Sequence, residues 1–293
     1  MRTCSPYVRQ FGTMPETESP VEPVPPGYDR TVKTTRTSLR SDLERLGLER
    51  GDLVMAHASI RSIGRILGGV NVLIQSIFDV IGDRGTLTAY VDFEPFFEED
   101  DDPAEVPVFE KRIAPAARDH GILHEALRNW PSALRSDHPD AGVVAIGRLA
   151  EWITSNHPLQ YGYGEDSPFE KIIQAQGRVL MIGAPLDTIT LLHYAEHRAN
   201  IPGKRVHQYR RLMPGQNGPT WVDIQEFDTT QPVSDVLPSD CFERIATEYV
   251  AAAPAPRGWV GAAESFLLEA PHLVTFAVGW LERFASTQPD RET

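Results

Sequence analysis

Cysteine is nearly absent from this chain: 2 occur in 293 residues, Cys4 and Cys241. Two thiols cannot build a disulfide framework or a cysteine-based zinc centre, and neither lies in a histidine-rich segment, so cysteine chemistry is set aside. Their scarcity fits a reducing compartment, and a cytoplasmic protein is expected. Long apolar runs are also missing. No stretch approaches the roughly 18 apolar residues that a membrane helix requires, and Arg2 is not followed by the apolar segment of an export signal. Basic charge is scarce: 28 Lys and Arg against 41 Asp and Glu give a formal net charge of -13. A phosphate backbone or an anionic membrane would be repelled, which argues against nucleic-acid and membrane partners and for cationic ones. A Gly-x-Ser-x-Gly nucleophile elbow and a phosphate-binding P-loop do not occur either.

What is present is the composition of a soluble globular protein, with 41% apolar and 24% charged residues, enough to build a sizeable core. Residues 1–30 hold Pro6, Pro15, Pro20, Pro23, Pro25 and Pro26 among Ser, Thr and Glu, a mixture that buries too little apolar surface to offset ordering. A flexible N-terminal tail is expected there, with the folded region at 31–286 and a short tail at 287–293. Helical spacing of Thr35, Leu39, Leu43 and Leu46 ends at Gly47, and a short strand Leu53 to Ala56 follows. Gly68-Gly69 opens a second helix through Val72, Ile74, Ile77 and Ile81, and Thr86 to Val91 has strand composition. Strand, helix and strand predict a crossover unit. Asp92 to Pro115 loses periodicity and becomes acidic, as functional loops often do. A helix near Gly121 to Trp130, a strand near Asp140 to Ile146 and short helices at Leu149 to Ile153 and Phe169 to Ala175 come next. After Pro202, Val206 to Leu212 and Trp221 to Phe227 read as a hairpin around Gly215-Gln216-Asn217-Gly218. Helices at Cys241 to Ala252 and His272 to Phe284 close the chain. The fold class expected is α/β, one domain whose mixed sheet is flanked by helices.

Three segments carry candidate chemistry. The first is Ala56-His57-Ala58-Ser59-Ile60-Arg61-Ser62-Ile63-Gly64, where a strand exit offers hydroxyls, amides and an arginine to phosphate oxygens. Its Arg61 to Arg65 portion half-matches the pyrophosphate loop of GCN5-related acetyltransferases, but Ile66 replaces the final small residue. The second is Leu134-Arg135-Ser136-Asp137-His138-Pro139-Asp140, a donor-rich turn before a strand. The third is the strand Val179 to Ile182, the turn Gly183-Ala184-Pro185 and a helix carrying Thr190, His193, Glu196 and His197. Helical spacing puts the hydroxyl, an imidazole and a carboxylate on one stripe, which suits proton transfer. The same helix admits a rival: His193-Tyr-Ala-Glu196-His197 fits the H-x-x-E-H zinc pattern of a hydrolase, with Glu264 or Glu269 as candidate third ligands.

Taken in order, Val-Met-Ala-His57-Ala-Ser59, Ser62-Ile-Gly64, Gly68-Gly69, Arg135-Ser136-Asp-His138-Pro139, Gly164-Glu165-Asp-Ser167-Pro168 and Ile-Gly183-Ala-Pro through Thr190-Leu-Leu-His193-Tyr-Ala-Glu196 resemble the aminoglycoside 3-N-acetyltransferases. The resemblance spans roughly Thr35 to Phe284. Asn200-Ile-Pro-Gly-Lys204-Arg205 and Val274-Thr-Phe276 are similar to the branch that acts on gentamicin-like drugs. This family is distinct in fold from the GCN5-related enzymes. The resemblance implies acetyl transfer from acetyl-CoA to the 3-amino group of a 2-deoxystreptamine aminoglycoside, conferring resistance, with no metal. It implies His193 as general base, Glu196 as its orienting carboxylate and Thr190 beside the thioester carbonyl. His57, Ala58, Ser59, Arg61 and Ser62 are the expected coenzyme turn, with Arg135, Ser136 and His138 as further coenzyme contacts. Ala58 departs from the serine common at that place. For the polycationic sugar, the expected contacts are Tyr90, Asp92, Glu94, Asp102, Glu196 and Asp228, with Glu98 to Asp101 and Glu226 adding negative charge. A monomer or homodimer is expected.

Overall fold

Local signals build the first crossover. Thr35 caps helix α1 (Arg36–Arg45) by accepting the Ser38 amide, and the Ser38 side chain answers at the Thr35 amide, which satisfies two otherwise orphaned donors. Strand β1 (Leu53–Ala58) follows, then the single turn α2 (Ile60–Ile63) and helix α3 (Val70–Ile81). Helix α3 ends at Gly82, whose φ of 66° is a left-handed stop that suits glycine. Strand β2 (Thr86–Tyr90) completes the unit. The remaining elements are α4 (Ile122–Arg128), β3 (Leu134–Arg135), β4 (Val143–Gly147), α5 (Ala150–Thr154), α6 (Pro168–Gln174), β5 (Arg178–Ile182) and α7 (Leu191–Arg198). The hairpin β6 (Val206–Gly215) and β7 (Gly218–Phe227), helix α8 (Cys241–Ala252), strands β8 (Arg257–Val260) and β9 (Ala263–Glu269), and α9 (Ala270–Thr287) complete the order. The computed structural model describes residues 33–93, 104–252 and 255–287; the expected tails, Glu94 and Glu98 to Asp102 lie outside them or nearly so, since α9 carries the chain through Thr287.

Seven strands form one sheet in the order β3-β4-β2-β1-β5-β9-β8. The three central strands β2, β1 and β5 are parallel, and β4 and β9 join them antiparallel. This is the mixed sheet that was expected. All six residues of β1 are buried, because helices cover both faces. Leu39 and Leu43 of α1, Ile77 of α3 and Leu123 of α4 pack on one face. Phe169 of α6, Leu192 of α7, Tyr249 of α8 and Leu281 of α9 pack on the other. The chain leaves β1 over the first face to reach β2 and approaches β5 from the second. Strand β1 is therefore the switch point of the sheet, and the crevice beyond its C-terminal end is where open α/β sheets take ligands.

Three parts of the fold differ from expectation. Leu134–Arg135, read as turn, pairs with Ala145 and Val144 of β4. Both hairpin strands run on to a two-residue connection, with Gly215 opposite Gly218. Strands β8 and β9 were not expected, because Glu264, Ser265 and Glu269 interrupt the apolar pattern; β9 nevertheless pairs along its length with β5. Among the described residues no helix is long and apolar enough to cross a membrane.

Candidate active site

At the C-terminal end of β1 the chain turns against the end of β5. The Ser59 amide donates to the Ile182 carbonyl at 2.9 Å, and the Ser59 side chain caps α2 by accepting the Ser62 amide. The Ser62 hydroxyl donates to Ser59 Oγ at 2.7 Å and approaches the Gly183 carbonyl at 3.3 Å. Gly183 has φ 60°, and a Cβ there would stand 2.6 Å from Ser62 Cβ, so only glycine lets the two strand exits touch. Arg61 projects into solvent beside this turn. The turn expected to meet a coenzyme thus lies at the switch point. His57 sits inside it rather than on its surface: it is buried, Nε2 finds no partner, and burial with the nearby His124 and His120 lowers its pKa from 6.5 to about 3.

The second part comes from β5 through the Gly183 turn to α7. Thr190 precedes this helix and makes no side-chain cap bond. Three residues on, His193 Nδ1 donates to Glu196 Oε2 at 2.8 Å. That bond fixes the tautomer: Nδ1 carries hydrogen and Nε2 keeps its lone pair. The carboxylate is held inside at 5% side-chain exposure, whereas the imidazole reaches solvent at 20%. The arrangement can orient and charge-stabilise a base while leaving one nitrogen open to a reactant.

His197 does not share that role. Its Nε2 donates to Glu226 Oε1 at 2.8 Å, away from the Glu196 carboxylate. Glu226 also accepts the amides of Tyr163, 3.2 Å, and Phe227, 2.7 Å, and is buried. Among the described residues no group of three or more His, Cys, Asp or Glu side chains converges as a metal would require. Glu264, one candidate third ligand, pairs with Arg257 instead. The zinc-hydrolase reading has no support, because its two histidines face separate carboxylates.

Most of the other expected contacts are spent within the fold. Arg135 is buried and donates to the carbonyls of Ala114, 2.6 Å, and Val91, 3.0 Å; burial lowers its pKa to about 10. Ser136 accepts the Val143 amide at 2.9 Å and meets His157 Nδ1 at 2.9 Å. His138 Nδ1 accepts the amides of Asp140 and Ala141, and burial drives its pKa well down. These three residues make their bonds within the fold. The Tyr90 hydroxyl donates to the Asp140 carbonyl at 2.6 Å and meets Tyr163 Oη at 2.7 Å. Asp92 lies 2.9 Å from His120 Nε2. Asp228 accepts from Thr230 and Gln231 and lies 3.5 Å from Arg205; burial raises its pKa, but those hydrogen bonds and that charge prevail and leave it lowered. Glu226, expected to face a cation, serves His197. The rings of Tyr163 and Phe242, each 4.9 Å from His193, were missed, since nothing in their local sequence points to a residue 30 or more positions away.

Fold and site together define an α/β protein with a histidine–carboxylate pair beside a hydroxyl-bearing turn at the switch point of its sheet. A family profile for aminoglycoside 3-N-acetyltransferase matches residues 55–282. Aminoglycoside N(3)-acetyltransferase III of Pseudomonas aeruginosa is 39% identical over 263 residues, covering 87% of this chain and 96% of that protein. A solved structure described as AAC-IIIb binary with CoASH superposes with a TM-score of 0.84 at 44% identity, over 88% of this chain and 100% of that one. A second, AAC-VIa bound to sisomicin, gives 0.82 at 33%, over 87% and 100%. The chain belongs to the aminoglycoside 3-N-acetyltransferase family and is an acyltransferase.

Proposed function

We propose that this enzyme transfers the acetyl group of acetyl-CoA to the 3-amino group of a 2-deoxystreptamine aminoglycoside, with His193 as general base. The observation that carries the reading is the 2.8 Å bond from His193 Nδ1 to a buried Glu196 carboxylate, which leaves Nε2 as the proton-accepting edge. An ammonium group has no lone pair, so its nitrogen cannot attack until a proton is removed. That first proton leaves to solvent; as the neutral nitrogen bonds to the thioester carbonyl carbon, Nε2 takes a second proton from it and the carbonyl oxygen becomes an oxyanion. Thr190, which makes no side-chain cap bond, is assigned the hydrogen bond to that oxygen. The intermediate collapses by breaking the carbon–sulfur bond, and the departing thiolate receives the proton from His193. Glu196 stabilises the imidazolium formed in between.

Ser59, Ser62 and Arg61 form the coenzyme turn in this reading. Two hydroxyls and a guanidinium fit the phosphate and pantetheine groups of acetyl-CoA, and the likeness to a CoASH-bound relative supports the assignment. Asp92 and Glu196 contribute negative charge on the aminoglycoside side, and the net charge of -13 draws a polycation from solution. The sisomicin-bound relative supports this substrate class. Resistance to such drugs is the resulting phenotype. The reaction is tested by mixing purified protein with acetyl-CoA and gentamicin and following free CoA with a thiol reagent. Thiol release that needs both substrates, with NMR placing the acetyl group on the 3-amino nitrogen, is the expected result. Drug binding with no thiol release would make the protein a binder of cationic sugars.

A further inference from the structure

The His193 imidazole packs against two aromatic rings contributed from outside its own helix. Tyr163, from the turn of residues 161–164, lies 4.9 Å away between centroids at an interplanar angle of 51°. Phe242, in the first turn of α8, lies 4.9 Å away at 58°. The Tyr163 hydroxyl is engaged with Tyr90 Oη at 2.7 Å, so it is the ring of Tyr163, not its oxygen, that meets His193. Its backbone is held as well, by the amide bond to Glu226 Oε2 at 3.2 Å, and Glu226 is in turn held by His197. Phe242 is carried by a helix anchored through buried Ile245, Ala246 and Tyr249.

A single bond from Nδ1 to Glu196 leaves the imidazole free to pivot about its broad terminal torsion. Contact with two rings restricts that freedom. We infer that Tyr163 and Phe242 are positioning residues that clamp the His193 ring and keep Nε2 directed at the attacking amine. Productive geometry of this kind is worth most at the chemical step, because misplacement of the base costs rate more than ground-state affinity. Tilted aromatic neighbours also suit the imidazolium that forms once the proton is taken. The inference rests on the assignment of His193 as base.

Phe242→Leu removes one ring while keeping an apolar side chain in place. The kcat for gentamicin should fall about threefold to tenfold, the range of one ring–ring contact, with KM for both substrates within about twofold of the parent. Phe242→Tyr, which restores a ring, should recover most of that loss relative to Phe242→Leu. If the leucine variant does not fold, as judged by its thermal melt, Phe242→Met carries the same comparison. Unchanged kcat in the ring-less variant, a rise in KM alone, or a loss that Phe242→Tyr does not recover would overturn the clamp. His193→Ala, measured alongside, separates the two claims: full turnover there removes the base assignment itself, whatever the Phe242 variants show.

Discussion

Histidine does three different jobs in this chain, and environment separates them. His193 keeps one nitrogen open, His197 ties α7 to the hairpin through Glu226, and His57, His138 and His157 are buried as neutral rings. His157 donates from Nε2 to the Gly162 carbonyl at 2.7 Å, and burial lowers its pKa to about 4; His57 falls to about 3. A histidine with a depressed folded pKa is neutral when folded but protonated when unfolded across the interval between the two values. Its stabilisation is therefore complete above about pH 6.5 and is lost as pH falls toward 4, at about 1.4 kcal/mol per pH unit for each ring. The melting temperature should drop steeply between pH 6.5 and 4 in a buffer series, and His157→Gln should flatten that slope. A melting temperature level over this range would contradict the assignment of buried neutral rings. The roles themselves were only partly legible in sequence. Helical spacing brought His193 and Glu196 together correctly, because both lie on one helix. The bonds that Arg135, Ser136 and His138 make within the fold were not legible, because a donor-rich turn reads the same whether its donors face a ligand or the fold's own backbone.

Among the elements, the β6–β7 hairpin stands apart from the main sheet and docks by polar bonds. Backbone bonds join the Phe109 amide to the Leu212 carbonyl and the Tyr161 amide to the Gln225 carbonyl, each 2.8 Å. Arg211 donates to Asp140 Oδ1 through Nε at 2.9 Å and Nη2 at 2.6 Å, and both side chains are largely buried. Because β7 also carries Glu226, the hairpin sets the turn that bears Tyr163. Arg211→Met leaves the Asp140 carboxylate buried without its cation and should cost about 3–5 kcal/mol. The melting temperature should fall and amide exchange across residues 206–227 should quicken, with Asp140→Asn added to Arg211→Met restoring part of the loss. Unaltered exchange in the hairpin would mean that apolar contacts hold it. The hairpin was readable from its turn residues and alternating pattern, but its docking was not: Asp140 and Arg211 are 71 positions apart, and no local pattern links them. Strands β8 and β9 were unreadable for a related reason, since the pairing of β9 with β5 and of β8 with β9, rather than their own composition, makes them strands.

At the scale of the whole molecule, the mixed sheet brings chemistry from distant segments to one edge. Residues 57–62 leave β1, Tyr90 and Asp92 leave β2, Gly183 and then His193 leave β5, and residues 135–140 enter β4 at the same end. The central strands and the first crossover were legible from their apolar runs and nearby glycines, whereas the strand order, and with it the switch point, came from the structure. The central claim is that His193 acts as the proton-accepting base of acetyl transfer. It is tested most directly by comparing His193→Ala with the parent in CoA release with gentamicin, alongside calorimetric titration of coenzyme. Turnover should fall by about 10² to 10⁴ while coenzyme affinity holds; near-parental turnover in a folded His193→Ala protein would contradict the account.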